Sequence, residues 1–384
     1  MRWNRVQRGR KTTAFGSKLA PLMSKDNQAP FELFHLSDED NGQTLGAAIK
    51  KRMSQWSWGQ TREAILKRRV QVNGNLCLDQ ARKVTEKDVV KLWKESLPKP
   101  VQPSHVKIVY VDDFLVIVEK PAGITSTRHF EERLLKEKRK QLQPTLEELV
   151  PLALEAHFQS KSSAANRGAN EAKSSSRQTK SRLSAHDEQR QRIIRVKKFA
   201  VIAVHRLDRD TSGLMVFART PSIAQMLGVI FRQHDVTRKY LAVVHGHPNA
   251  QTFDTVLVRD RGDGKRGTKP AGLEEDPSAQ RAVTHIRPLE SIGEYSIVEC
   301  ELKTGRTHQI RIHLSESGHM LCGETIYNRS LDGDQTEDRS NAPRQALHST
   351  TLELKHPMTD EALSFRMPWP ADLQKWLKEL RSKN

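Results

Sequence analysis

The chain has 384 residues, 36% of them hydrophobic, and a formal charge of +18 from 64 Lys and Arg against 46 Asp and Glu. That is enough apolar material for two or three domains, and the excess of cations points to a polyanionic partner, nucleic acid before membrane. No apolar run approaches the ~18 residues of a membrane span. The three scattered cysteines, Cys77, Cys300 and Cys322, argue against a disulfide framework and lack metal-ligand spacing, which fits a reducing, cytoplasmic setting.

Residues 1–40 read as a flexible basic arm, with no acidic residue before Asp26. An organellar transit peptide is the alternative. Residues 41–95 read as a small unit. Leu45, Ile49 and Met53 recur at helical spacing, and a second helix fits Gln60 to Arg69 with Ala64 and Ile65 turned inward. Val70-Gln71-Val72-Asn73-Gly74 then predicts a strand entering a hairpin, because Asn-Gly supplies the positive φ angles of a type I′ turn. Val89, Val90 and Leu92 predict a closing strand. Lys50, Arg52, Arg62, Arg68 and Arg69 make the helix pair basic, which suits either a solvated face or RNA contacts. Residues 96–105, with Pro98, Pro100 and Pro103, read as a linker.

From 106 to 380 a second domain is expected. Ile108–Val111 and Phe114–Val118 predict two strands joined by the acidic turn Asp112-Asp113, followed by Lys120-Pro121-Ala122-Gly123. Residues 160–198 hold eleven Lys and Arg against three Asp and Glu (11 − 3 = +8) and almost no large apolar residue before Ile193. Such a segment buries too little to offset its ordering entropy, so it reads as a largely disordered insertion. Then come the apolar run Ala200–Val204, the charged stretch His205-Arg206-Leu207-Asp208-Arg209-Asp210-Thr211-Ser212-Gly213, and a second apolar run Leu214–Ala218. Charged residues on a loop between buried strands are where function tends to sit. A helix fits Ile223 to His234, a strand Arg238 to Gly246, and a long loop 259–281. Leu302 to Leu314 permits strand or helix, with Thr307 placed to cap a helix ending near Gly318.

The stretch HRLDRDTSG at 205–213 resembles the signature of pseudouridine synthases, in the branch that modifies uridines of large-subunit rRNA and some tRNAs. Further family-like stretches follow: KPAG at 120–123, the strand containing Tyr240, TGRTHQIR at 304–311, and segments at 344–348 and 354–357. Residues 41–95 resemble the alpha-L RNA-binding module of a ribosomal small-subunit protein, although Arg68 stands where a glycine is usual. The resemblance implies an α+β catalytic domain with a largely antiparallel mixed sheet, preceded by a small α/β RNA-binding module.

By the same resemblance, Asp208 is the catalytic residue, Arg311 pairs with it, and Tyr240 stacks on the target base and helps remove its carbon 5 proton. Arg206 fills the space left by the flipped uridine. His205, Thr211, Arg306, His308 and Gln309 are expected to bind substrate. Arg62, with Lys50, Arg52, Arg68 and Arg69, is expected to contact RNA. The reaction is an isomerisation, so no cofactor and no metal are expected, and the enzyme should act on RNA as a monomer. A tRNA target, or a catalytically silent rRNA-binding assembly protein, are the alternatives. Cys322-Gly323-Glu324 departs from the family's usual Gly-Asp.

Overall fold

Phe31–His35 forms a strand (β1) ahead of the first expected helix, and this moves the N-terminal boundary. The computed structural model describes residues 31–128, 142–169, 199–269 and 276–383. They fall into two compact units, divided between Pro98 and Lys99. The basic arm expected over 1–40 therefore ends before Phe31, and residues 1–30 lie outside the described residues. The reason is aromatic: the Phe31 ring lies 4.9 Å from that of Trp93, and the Lys91 ammonium sits 4.3 Å above Phe31.

In the first unit α1 (Leu45–Arg52) is capped by Thr44, whose side chain accepts from the Ala47 N–H. Helix α2 (Trp58–Leu66) starts from a Ser57–Gln60 capping box and stops earlier than expected, because Arg68 takes φ +62°. Strands β2 (Val70–Val72) and β3 (Asn75–Leu76) flank the hairpin, with Asn73 and Gly74 both at positive φ. With β4 (Val89–Trp93) they complete a sheet ordered β1-β4-β2-β3. Leu45, Ile49, Ile65, Val70 and Val90 are wholly buried beneath it.

The second unit begins with β5 (Lys107–Val111) and β6 (Leu115–Lys120), turned by Asp112, whose carboxylate accepts from the Phe114 and Leu115 N–H groups. Helix α3 (Leu146–Ala169) runs into the stretch expected to be disordered from residue 160. Its first half is nucleated by buried Leu146, Leu149, Val150, Ala153 and Leu154, and propagation through an Ala- and Lys-containing sequence is then cheap. Residues 170–198 lie outside the described residues. The run Ala200–Val204 yields only a two-residue strand, β7 (Ile202–Ala203), because the chain bends into the charged loop.

Then follow β8 (Ser212–Ala218), α4 (Pro221–Gln233), β9 (Val236–His245) and β10 (Gln251–Val258). Next come β11 (Gly267–Thr268), β12 (Gln280–Ile292) and β13 (Tyr295–Leu302), so the loop expected over 259–281 contains one short strand and starts another. Helix α5 (Gln309–Glu316), β14 (Leu347–Lys355), β15 (Ala362–Arg366) and α6 (Ala371–Lys383) complete the chain. Thr307 does not cap α5; His308 holds that position at φ +60°, and no side chain makes the cap bond.

Eleven strands form one sheet, ordered β11-β10-β12-β13-β9-β14-β8-β6-β5, with β15 beside β14 and β7 beside β8. Among the described residues β14 with β8 is the parallel pair and the other pairings are antiparallel. The fold is thus the α+β, largely antiparallel mixed sheet that was expected. The central strands β8, β9 and β14 are buried along most of their length.

Candidate active site

The charged loop between β7 and β8 is held from below. Lys120, wholly buried at the end of β6, donates to the Pro121, Arg209 and Thr211 carbonyls at 3.1, 2.9 and 2.7 Å. Three acceptors match the three N–H donors of an ammonium. Burial opposes that charge and pushes Lys120 down to about 7. Ser126 accepts from the Leu207 N–H and donates to its carbonyl, and the Gly123 N–H donates to the Arg209 carbonyl. His205 faces inward, accepting from the Val216 N–H at 3.1 Å and stacking on Phe231 at 4.7 Å. Burial, with nearby Arg238, pushes it down to about 3, so it stays neutral. Thr211 is buried, and its hydroxyl accepts from the Gln345 amide. These bonds over-determine the backbone around Asp208.

The Asp208 carboxylate projects from this loop to Arg311 on α5, with Nη1 3.2 Å from Oδ2. The same guanidinium gives Nε and Nη2 to Glu324, both at 2.7 Å. Glu324 in turn accepts from the Thr325 and Ile326 N–H groups at 2.9 Å. Burial would raise Glu324, but the Arg311 bonds and charge outweigh it and hold it below the usual carboxylate range. Burial likewise works against the charge on Arg311, and the two carboxylates overcome it and raise its affinity for the proton. His308 stands 3.9 Å from Asp208 and bonds Tyr327 Oη through Nδ1 at 2.7 Å. Burial lowers His308 despite Asp208, so the carboxylate faces a neutral imidazole and a fixed cation.

A cleft of about 530 Å³ opens over this pair. Tyr240 lines it from β9, its ring 5% exposed, and burial pushes its phenol up, so the hydroxyl keeps its proton at neutral pH. Arg206 stands exposed on the rim, and Arg306 lines the opposite wall while its Nε donates to the Arg281 carbonyl. A half-buried cation–carboxylate pair beside an aromatic wall is a place to hold a flat base against a nucleophile.

Residues 114–316 match the description RNA pseudouridylate synthase. The chain belongs to this family. A protein named ribosomal large subunit pseudouridine synthase D from Zymomonas mobilis is 38% identical over 183 residues, covering 47% of this chain and 56% of that protein. The protein of the same name from Vibrio cholerae is 28% identical over 358 residues, covering 90% of this chain and 94% of its own length. Among solved structures, human RNA Pseudouridylate Synthase Domain Containing 4 aligns at a TM-score of 0.47 and 22% identity, over 72% of this chain and 93% of that one.

This pseudouridylate synthase domain thus brings together Asp208, Arg311, Tyr240, Arg206, Arg306 and His308 around one cleft. Gln309 lines the cleft and braces it through both of its amide atoms. Its carbonyl oxygen accepts from Thr304 Oγ1 and the Arg306 N–H, and its amide nitrogen donates to the Val283 carbonyl and Thr284 Oγ1. His205 Nε2 and Thr211 Oγ1 likewise bond within the protein, to the Val216 N–H and the Gln345 amide. Lys120 and Tyr327 are site residues beyond those expected, and Glu324 was noted only as a departure; the Lys120 partners lie 89 and 91 positions away in the chain.

The basic residues of the N-terminal unit divide in the same way. Arg52 bonds Asp40 and the His35 carbonyl, Lys50 the Ser54 carbonyl, and Arg68 the Pro98 carbonyl. Arg69 donates to the Trp93 carbonyl at 2.7 Å and covers the Trp56 ring at 5.5 Å. Arg62 is exposed on α2 and, among the described residues, has no hydrogen-bond or ion-pair partner. Away from the cleft, His245, Cys322 and Asp338 bring ligand-type atoms within 4.8 Å of one another. Asp338 already accepts from Ser340, the Gly323 N–H and His245, and burial keeps the Cys322 thiol protonated, so this knot is satisfied within the protein.

Proposed function

We propose that this chain converts uridine to pseudouridine in large-subunit rRNA, in the cytoplasm, with the N-terminal unit serving as an RNA-docking module. The single observation that carries the chemistry is the Asp208–Arg311 pair at the base of the cleft, beside Tyr240. The names of the relatives, together with 94% coverage of the Vibrio cholerae protein, support the rRNA target.

In this isomerisation the bond from N1 to the ribose breaks and one from C5 forms; the C5 proton is lost and N1 gains one. Nothing is oxidised or transferred to a second molecule. Arg311 sets a guanidinium nitrogen 3.2 Å from the Asp208 carboxylate, a fixed counter-charge beside it. Asp208 is the group placed to meet the electrophilic centre. The uridine must leave its stack, at a cost of a few kcal/mol. Stacking on Tyr240 returns about 1–3 kcal/mol, and Arg206 stands at the rim where the base leaves a gap.

The test is pseudouridine mapping in total RNA from a deletion strain. Loss of one or more large-subunit rRNA sites, restored by the wild-type gene and not by Asp208→Asn, is the expected result. Loss confined to tRNA would overturn the rRNA target, and restoration by Asp208→Asn would remove Asp208 from the chemistry.

A further inference from the structure

Arg238 is a cation in the cleft to which the described residues supply no counter-charge. It lies on β9 two residues before Tyr240, so the two share one face of the strand, about 7 Å apart along it. Its side chain is enclosed, with the residue 8% exposed, and its Nε has no hydrogen-bond partner. Among the described residues no carboxylate pairs with it. The guanidinium is held instead by apolar and backbone surfaces. It sits 5.6 Å from the Phe231 ring, and on another side Gly305 leaves so little room that a Cβ there would come 2.7 Å from Nη1. His205, stacked on the same Phe231, is neutral and adds no charge. Arg232 and Arg306 line the same cleft and add positive charge, and the carboxylate that lines it, Asp208, is paired with Arg311.

An enclosed charge without a counter-ion is costly, and proteins keep one where a ligand completes the pair. The base on Tyr240 is neutral, so the anion must come from the backbone of the RNA. We propose that Arg238, with Arg306 and Arg232 beside it, binds the phosphodiester flanking the flipped uridine, and so sets how far the nucleotide slides along β9 toward Asp208. A guanidinium suits this role because its planar fork meets two phosphate oxygens at once. The proposal rests on reading the cleft as a uridine site.

The experiment uses full-length protein and a synthetic RNA stem–loop carrying the uridine mapped above. Kd is measured against salt for wild type, Arg238→Gln and Arg238→Lys, with and without a neutral methylphosphonate at each phosphate flanking that uridine. Arg238→Gln is expected to weaken binding about 10- to 100-fold and to reduce the salt slope by about one. Arg238→Lys should recover part of both. One methylphosphonate should weaken wild type by a similar factor and leave Arg238→Gln nearly unchanged. Wild-type affinity and slope in Arg238→Gln would overturn the proposal. So would a methylphosphonate penalty undiminished in that variant, or a lost affinity with no penalty at either phosphate, which would mean that Arg238 reads the base. If Arg238→Gln does not fold, the wild-type methylphosphonate series decides: no penalty at either position overturns the proposal. A wild type that binds but converts no uridine removes the reading beneath it, a result separable from these because it is scored by product and not by affinity.

Discussion

Arg311 gives two nitrogens to Glu324 and one to Asp208. Glu324 therefore fixes the plane of the guanidinium, and Asp208 receives the one nitrogen left over. Breaking a buried pair by removing one partner leaves an uncompensated charge, at about 3–5 kcal/mol. Arg311→Met is thus expected to lose both turnover and stability. Arg311→Met with Glu324→Gln should regain most of the melting temperature and none of the turnover. Differential scanning calorimetry beside a single-turnover assay separates the two effects. A double variant that stays as unstable as the single one would show that Glu324 is not what Arg311 neutralises.

The pair explains what was and was not legible in the sequence. The loop carrying Asp208 stood out by its charge between apolar runs and by its family resemblance, and the helix carrying Arg311 by the resemblance of 304–311 to the family's TGRTHQIR stretch. Their supports did not. Lys120 reaches Thr211 across 91 positions and Gln345 reaches it across 134, separations at which sequence pattern carries no signal. Glu324 was visible only as a departure from the usual Asp; the structure shows its longer side chain spanning to Arg311. Helix α3 was obscured by Pro151 within it and by the polar tail that follows its apolar face. Strand β1 was hidden because its residues seal an edge through two aromatic contacts with a strand almost sixty positions later.

Stability should fall as the pH is lowered through the mildly acidic range. Burial pushes His205 to about 3, His313 to about 4 and His348 to about 4, with Arg238 adding to the effect on His205 and Arg344 on His348. The ordinary value in the unfolded chain is near 6.5. The folded values are the lower ones, so unfolding takes up protons, and the contribution is fully present above about 6.5 and lost as pH falls toward 4. Three such groups give a slope of up to about 4 kcal/mol per pH unit, at 1.36 kcal/mol each. Urea unfolding at pH 7, 6 and 5 measures it; an unchanged midpoint across that range would mean these imidazoles accept protons in the folded state.

In the N-terminal unit the two readings of basic residues, scaffold and RNA contact, separate residue by residue. Arg69→Ala removes a bond to the Trp93 carbonyl and a cation from the Trp56 face, and should cost about 1–2 kcal/mol. Arg62→Ala removes no hydrogen bond or ion pair with the described residues, and should leave stability within about 0.5 kcal/mol. Its effect should appear in RNA binding, as a salt slope reduced by about one. Equal slopes for wild type and Arg62→Ala would exclude a phosphate contact at that position.

Gly213 closes the loop that carries Asp208 and opens β8 at the parallel junction with β14. Its φ is +119°, and a Cβ there would lie 2.2 Å from the Ser349 carbonyl oxygen and 2.7 Å from the Ser349 nitrogen. Both obstacles are backbone atoms in a central strand, so nothing flexible can move aside. Ala at this position must separate β8 from β14 or twist the Asp208 loop away from Arg311, and the loss should exceed about 4 kcal/mol. Gly264→Ala is the matched control: its φ is +74°, no atom lies within 4 Å of the added Cβ, and it should cost only the left-handed strain of about 1–2 kcal/mol. Thermal melting of the two variants distinguishes clash from strain. If both lose the same amount, positive φ alone accounts for Gly213, and the close passage of Ser349 does not set the geometry of the loop.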